Sequence, residues 1–185
     1  MVRASLRRNR LVSAFMAGFL LLSNALLAAA AILATAVFGS VTGFMTTAQT
    51  PHFMQMHVGA IDADRLQSFA DGRPEVAAIE LIQILNVDNA ALTLGGHSLD
   101  AEIQQNGFAT QGRRMDYLLA ADGTRIQPEP GQIYLPFFYE DKYALHAGDR
   151  VDLALPGGTS SFTVAGFFRD SQMNSTLASS KRLLI

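Results

Sequence analysis

The hydrophobic pattern of the chain changes abruptly after residue 10. No Asp, Glu, Lys or Arg occurs between Arg10 and Asp62, and residues 11–38 are mostly apolar. As a helix, residues 11–38 would extend about 42 Å, which exceeds the roughly 30 Å of the hydrocarbon core of a bilayer. The pattern therefore predicts a transmembrane helix in residues 11–41, preceded by a basic tail in residues 1–10.

Two interpretations of this apolar segment remain open at the level of sequence. A basic start, an apolar stretch and small residues at 28–31 are also typical of a cleaved signal peptide, although the length of the run favours a retained helix. In both interpretations the positive-inside rule predicts a cytoplasmic N-terminus. We therefore expect the chain in the plasma membrane, with everything after about Gly43 outside the cell.

The remainder of the chain, residues 42–185, is predicted to be an extracytoplasmic α+β domain. Residues 53–58 and 76–87 have the apolar and β-branched composition of strands, and Asp62 or Asp64 can cap a short helix between them. Further on, the sequence predicts a strand that Pro136 ends, followed by a short helix in FFYEDKYAL. Strands and short helices without strict alternation favour a mixed or largely antiparallel sheet.

Glycine-containing turns divide the second half of this domain. They occur at Gly95-Gly96, at Asp122-Gly123 and in the stretch PGGTSS, residues 156–161. The last combines glycines with hydroxyls, but it has neither the lysine of a P-loop nor a helix after it, so a hairpin turn is predicted rather than a phosphate site. The final residues, LASSKRLLI, predict a loop that enters another strand, and we expect the domain to be truncated there.

Charge and composition exclude several classes of function. After Arg10 the chain carries six more acidic than basic residues, which argues against nucleic acid as a partner. There is no cysteine, so disulfides, thiolate nucleophiles and Cys-ligated metals are excluded.

Candidate chemistry-bearing residues form no recognisable catalytic, cofactor or metal motif. No histidine pair has helical ligand spacing, no G-x-S-x-G sequence occurs, and the methionines lack a spaced Met-x-x-Met pattern. We therefore predict no enzyme activity, no cofactor and no metal, with methionines filling the core and carboxylates facing solvent. The residues considered were His52, His57, His97, His146, Met54, Met56, Met115, Met173, Glu129, Glu140 and Asp141.

Two stretches of the outer domain resemble a known family. LHAGDRVDL, residues 145–153, and FTVAGFFRDSQMNSTLASSKR, residues 162–182, are similar to segments of FtsX-like or MacB-like permeases of ABC transporters. Together with the basic tail and the apolar helix, the resemblance covers nearly the whole chain. GD-x-V-x-L alone recurs in many β domains.

The resemblance implies a permease that exports, extracts or senses peptides or lipid-linked molecules. It implies four membrane helices, one before the outer domain and three after it, a second permease protomer, and a separate cytoplasmic ATPase subunit. The absence of a P-loop lysine motif agrees with nucleotide hydrolysis on another subunit. The alternative hypothesis is a single-pass anchored binding protein that captures a peptide or partner along a sheet edge.

Overall fold

The computed structural model describes residues 10–173 and 180–185, and the chain divides into two compact units with the boundary in the sequence between Gly43 and Phe44. In the first unit the described residues belong to helix α1, Arg10–Thr47, whose last turn lies in the second unit. The helix is longer than the predicted span and has no buried residue. It is long and apolar enough to cross a membrane, and its position near the N-terminus also fits a signal sequence.

Two polar side chains of α1 bond to the backbone of the helix itself. The Asn24 side-chain amide donates to the Leu20 carbonyl at 2.7 Å, and the Thr35 hydroxyl donates to the Ala31 carbonyl at 2.8 Å. Bonds to the preceding turn satisfy these donors without a second helix. The basic tail predicted for residues 1–10 lies outside the described residues except for Arg10.

The region after α1 contains less regular structure than the sequence predicted. Residues 53–58 form no strand, and of residues 76–87 only β1, Ile84–Val87, is a strand. Apolar composition alone was misleading here. Most of these side chains remain exposed, so they lack the packing against neighbouring strands that stabilises apolar residues in a sheet. The predicted short helix is confirmed as α2, Ala63–Asp71, with Asp62 accepting the Arg65 N–H at 2.9 Å.

The described residues of the second unit form a mixed sheet of eight strands, compatible with the mixed or largely antiparallel sheet that the sequence predicts. Their order is β1-β4-β8-β5-β7-β6-β2-β3, with parallel pairing of β4 with β8 and of β5 with β7. A 3-10 helix and helix α3 complete the unit. The remaining elements are the 3-10 helix Asn89–Ala91, β2 Leu92–Leu94, β3 His97–Ser98, β4 Gln105–Ala109, β5 Gln132–Pro136, α3 Phe137–Tyr143, β6 Arg150–Leu155, β7 Gly158–Phe168 and β8 Ser180–Leu184.

Two of the three predicted hairpins are formed by paired strands. Gly95 and Gly96 both have positive φ and join β2 to β3, while Pro156 and Gly157 join β6 to β7. The hydroxyls of PGGTSS were predicted to be turn residues, but Thr159–Ser161 lie in β7, because the tight turn leaves Gly158 already paired with Leu155. At Asp122-Gly123 the structure has a tight turn with one isolated bridge instead of a hairpin of two strands.

The core lies on the central strands of the sheet. Ile133, Leu135 and Val164 from β5 and β7 are almost fully buried, together with Tyr139 of α3. Leu183 of β8 belongs to the same cluster, and its neighbour Leu184 packs in a second, smaller cluster. The strand predicted at the end of the given sequence is β8, which lies in the interior of the sheet between β4 and β5.

The interior position of β8 gives a test of the fold. Leu183→Ala removes a fully buried side chain and should lower the free energy of unfolding by about 2–5 kcal/mol, because the cavity forms between packed strands. The matched control is Leu155→Ala, which truncates a side chain that is half exposed at the end of β6. Equal denaturation midpoints for the two variants in detergent would contradict an interior β8.

Candidate functional site

The strongest candidate site is the segment where the chain leaves α1 and enters the second unit. Gln49 has a φ of +48°, the Gln49 N–H donates to Thr46 O at 3.1 Å, and the Thr50 N–H donates to Met45 O at 3.0 Å. This is the Schellman pattern that ends a helix, with Gln in the left-handed position usually taken by Gly. The helix therefore stops at a defined point, and the chain turns sharply.

The same segment is hydrogen-bonded to two loops of the second unit. The carbonyls of Ala48 and Gln49 accept the N–H groups of Tyr117 and Asp116, at 2.8 and 3.0 Å. The side-chain amide of Gln172 donates to the Pro51 carbonyl at 3.0 Å. Ala48 is completely buried. We call residues 44–51, with these three bonds, the junction.

A buried ion cluster joins the two loops that bond to the junction. The Arg182 guanidinium of β8 is 2.6 Å from a carboxylate oxygen of Asp116 and 2.6 Å from one of Asp170. The three side chains are only 3%, 6% and 0% exposed. Burial opposes the charge on Arg182, but attraction to Asp170 and the hydrogen bond to Asp116 outweigh it and raise the pKa of the guanidinium. The guanidinium is therefore charged at neutral pH.

The cluster contains two carboxylates for one guanidinium, and backbone groups stabilise the excess negative charge. One oxygen of Asp170 accepts the N–H groups of Gln172 and Met173, at 2.8 and 2.9 Å. Charge-assisted bonds of this kind are stronger than neutral ones. They also fix the loop that carries Gln172, so the ion cluster and the junction are held by the same residues.

The loop that carries Asp116 is fixed by a second carboxylate. Glu80 accepts the N–H groups of Arg113, Arg114 and Met115, at 2.5, 2.9 and 2.9 Å. Partial burial raises the pKa of Glu80, but these three donors together outweigh burial, and the net pKa is lower than usual.

A glycine completes that loop. A Cβ atom on Gly112 would collide with the Met115 carbonyl, and the Arg125 guanidinium donates to the Gly112 carbonyl. Asp116 itself has a φ of +55°, a conformation that costs a non-glycine residue free energy. The surrounding bonds therefore hold Asp116 in a conformation that it would not adopt alone.

A second polar cluster joins α3 to β4 and to the loop that precedes β4. Glu102 accepts hydrogen bonds from Lys142 and from the Tyr143 hydroxyl, both at 2.5 Å, and these donors lower the pKa of Glu102. Tyr139 donates to Asn106 at 2.6 Å, and burial raises the pKa of Tyr139 to about 12. An open hollow of about 320 Å³ borders Glu102. Of its acidic residues, Asp88 and Glu102 accept hydrogen bonds from neighbouring protein groups, and we assign no chemistry to the hollow.

The histidines and carboxylates considered from the sequence are not brought together. Among residues 10–173 and 180–185 no group of three or more His, Asp or Glu is placed to hold a metal ion. His97 stacks on Tyr143 with a centroid distance of 5.1 Å. Met173 is buried as predicted, whereas Met54 and Met56 are exposed, so the prediction that they fill the core is wrong.

Sequence reasoning missed the residues of the junction and of the ion cluster. Asp116, Asp170 and Arg182 are 12 to 66 positions apart and share no motif. The available signal was a charged residue close to an apolar run: Asp170 follows Phe167 and Phe168, and Arg182 precedes Leu183 and Leu184. Such charges are buried only when paired, so each could have been assigned an unknown partner.

Comparisons with known proteins assign no family. No protein-family model matches the chain, and no curated protein sequence matches it significantly. The resemblance to FtsX-like permeases therefore depends on the quoted stretches alone.

The ion cluster should dominate the stability of this region. Arg182→Met leaves two buried carboxylates without their cation and should lower the free energy of unfolding by about 3–5 kcal/mol. The matched control is Arg150→Met, which breaks an Arg–Asp contact of the same 2.6 Å between side chains that are far more exposed, on β6. Thermal unfolding in detergent should separate the variants clearly. Similar melting temperatures would show that Arg182 is not essential to the second unit.

Glu80 should make stability depend on pH. Since its pKa is lower in the folded state than the ordinary 4.5, its bonds stabilise the fold above that pH and are lost as pH falls through the folded pKa. Glu80→Gln should therefore lower stability at pH 7 and flatten the loss of stability below about pH 4.5. Glu129→Gln, at an exposed position, serves as the control. Parallel pH profiles for wild type and Glu80→Gln would contradict this role.

Proposed function

We propose that this chain is the anchored outer part of a permease subunit in an ABC transport system. In this proposal α1 crosses the plasma membrane with its N-terminus in the cytoplasm, and the second unit lies outside the cell. A second permease protomer and a separate cytoplasmic ATPase complete the system, which exports, extracts or senses peptides or lipid-linked molecules. ATP hydrolysis is assigned to that ATPase and not to this chain.

The observation that carries the proposal is the hydrogen-bonded junction. A domain that is merely tethered to a membrane needs only a flexible linker after its helix. Here the chain from the last turn of α1 is bonded at Ala48, Gln49 and Pro51 to loops that also carry Asp116 and Gln172. The last turn of α1, which belongs to the second unit, is therefore held by hydrogen bonds instead of a slack linker, as we would expect of a permease driven from the cytoplasm.

A second candidate function is supported by the open edge of the sheet. Within the described residues β1 pairs with β4 along one side only, and Leu85 on this strand is largely exposed. An extended peptide can add to such an edge through main-chain hydrogen bonds. This observation favours an anchored binding protein, which would need neither an ATPase nor a firmly bonded junction.

The two functions are separated by what the chain assembles with in its own membranes. We expect an ABC-type ATPase to copurify with the chain after mild cross-linking in native membranes, and to be identified by mass spectrometry. A chain that copurifies with no ABC-type ATPase while retaining a bound peptide would overturn the permease proposal and favour the binding protein.

Topology is checked in the same cells by cysteine labelling, since the chain contains no cysteine. Ser98→Cys, on exposed β3, should react with a membrane-impermeant maleimide in intact cells, whereas Ser5→Cys should react only after permeabilisation. The reverse pattern would contradict the proposed orientation. A cleaved signal peptide would instead remove Ser5→Cys from the mature chain under both conditions.

A further inference from the structure

An apolar segment immediately after the junction is exposed, and none of the described residues of the second unit covers it. We call residues 52–61 the exit loop. Phe53, Met56 and Val58 are 79%, 59% and 92% exposed, and Met54 and Ile61 are also exposed. The exit loop belongs to no helix or strand. Contiguous exposed apolar side chains of this kind usually mark an interaction site.

The charge pattern continues from α1 into the exit loop. The uncharged run that begins after Arg10 does not end with the helix at Thr47, but extends to Asp62. The exit loop contains three polar residues, His52, Gln55 and His57, but no Asp, Glu, Lys or Arg, and its other side chains include Phe, Met, Val and Ile. From Asp62, which caps α2, onward, charged residues become frequent again. In its lack of charged residues the exit loop therefore matches the helix before it rather than the domain after it.

The exit loop is also within reach of the membrane that α1 would cross. Residues 11–38 suffice for the hydrocarbon core and much of the headgroup regions, which together measure about 40–45 Å. The last turns of α1 then add only about 13 Å. Phe53 follows Thr47 by six residues, and six extended residues span about 20 Å. The chain is therefore long enough for Phe53 to return to the surface of the bilayer.

We propose that the exit loop docks on the outer surface of the bilayer, with Phe53, Met56 and Val58 at the boundary between headgroups and acyl chains. This inference rests on the proposed membrane crossing of α1. The unpaired backbone of the loop stays at the level of the headgroups, where water remains available, because irregular backbone is not tolerated in the hydrocarbon. The contact is apolar: with no Lys or Arg in the loop, it does not depend on anionic lipids or on low salt.

The absence of tryptophan from the sequence allows a direct test on the full chain. Phe53→Trp and Val58→Trp place single probes in the exit loop. Phe19→Trp reports on the membrane crossing of α1, and Leu155→Trp, at a half-exposed position on β6, is the matched control outside the loop. Each variant is reconstituted into phosphatidylcholine vesicles with normal or brominated acyl chains, and quenching of tryptophan fluorescence by bromine is measured.

We expect fractional quenching in the exit loop to lie between that of Phe19→Trp and that of Leu155→Trp. It should be strongest for lipids brominated near the headgroup and unchanged at high salt. Unquenched loop probes beside a quenched Phe19→Trp would overturn the docking proposal while leaving the membrane crossing intact. A blue-shifted but unquenched loop probe would overturn it in favour of a protein partner. An unquenched Phe19→Trp would overturn both the crossing and the docking.

Discussion

The second unit depends on one guanidinium placed between two carboxylates. Arg182 comes from an interior strand, whereas Asp116 and Asp170 come from the two loops that hold the chain as it leaves α1. Because a buried charge is costly without its partner, none of the three can move alone. The ion cluster therefore connects the loops that contact the end of α1 to an interior strand of the sheet, so that the position of these loops depends on the packing of the sheet.

This constraint explains why both loops have unusual local structure. The loop of Asp116 has a non-glycine residue at positive φ, a glycine that tolerates no Cβ, and Glu80 bonded to three successive N–H groups. The loop of Asp170 is fixed by two N–H bonds to one carboxylate oxygen. These features stabilise the conformations of the two loops that contact the end of α1. The exit loop, with exposed apolar side chains, lies just outside this firmly bonded region.

The sequence predicts correctly those elements that depend on residues close together in the chain. The long apolar helix, the capped α2, the turns at Gly95-Gly96 and Pro156-Gly157 and the strand before Pro136 all follow from spacing, caps and turn residues. The failures have two causes. Residues 53–58 look like a strand but lack a partner strand, and the pairing of Arg182 with Asp116 and Asp170 is a long-range contact that no periodicity encodes. The family resemblance suggests a function but gives no information on either point.

The central claim is that the ion cluster holds the junction, and hydrogen exchange at single amides tests it most directly. The N–H groups of Asp116 and Tyr117, bonded to Gln49 and Ala48, should exchange as slowly as those of the interior strands. Under conditions in which Arg182→Met remains folded, both amides should exchange much faster, while the amides that pair β6 with β7 keep their protection. Unchanged protection of Asp116 and Tyr117 in that folded variant would contradict the account.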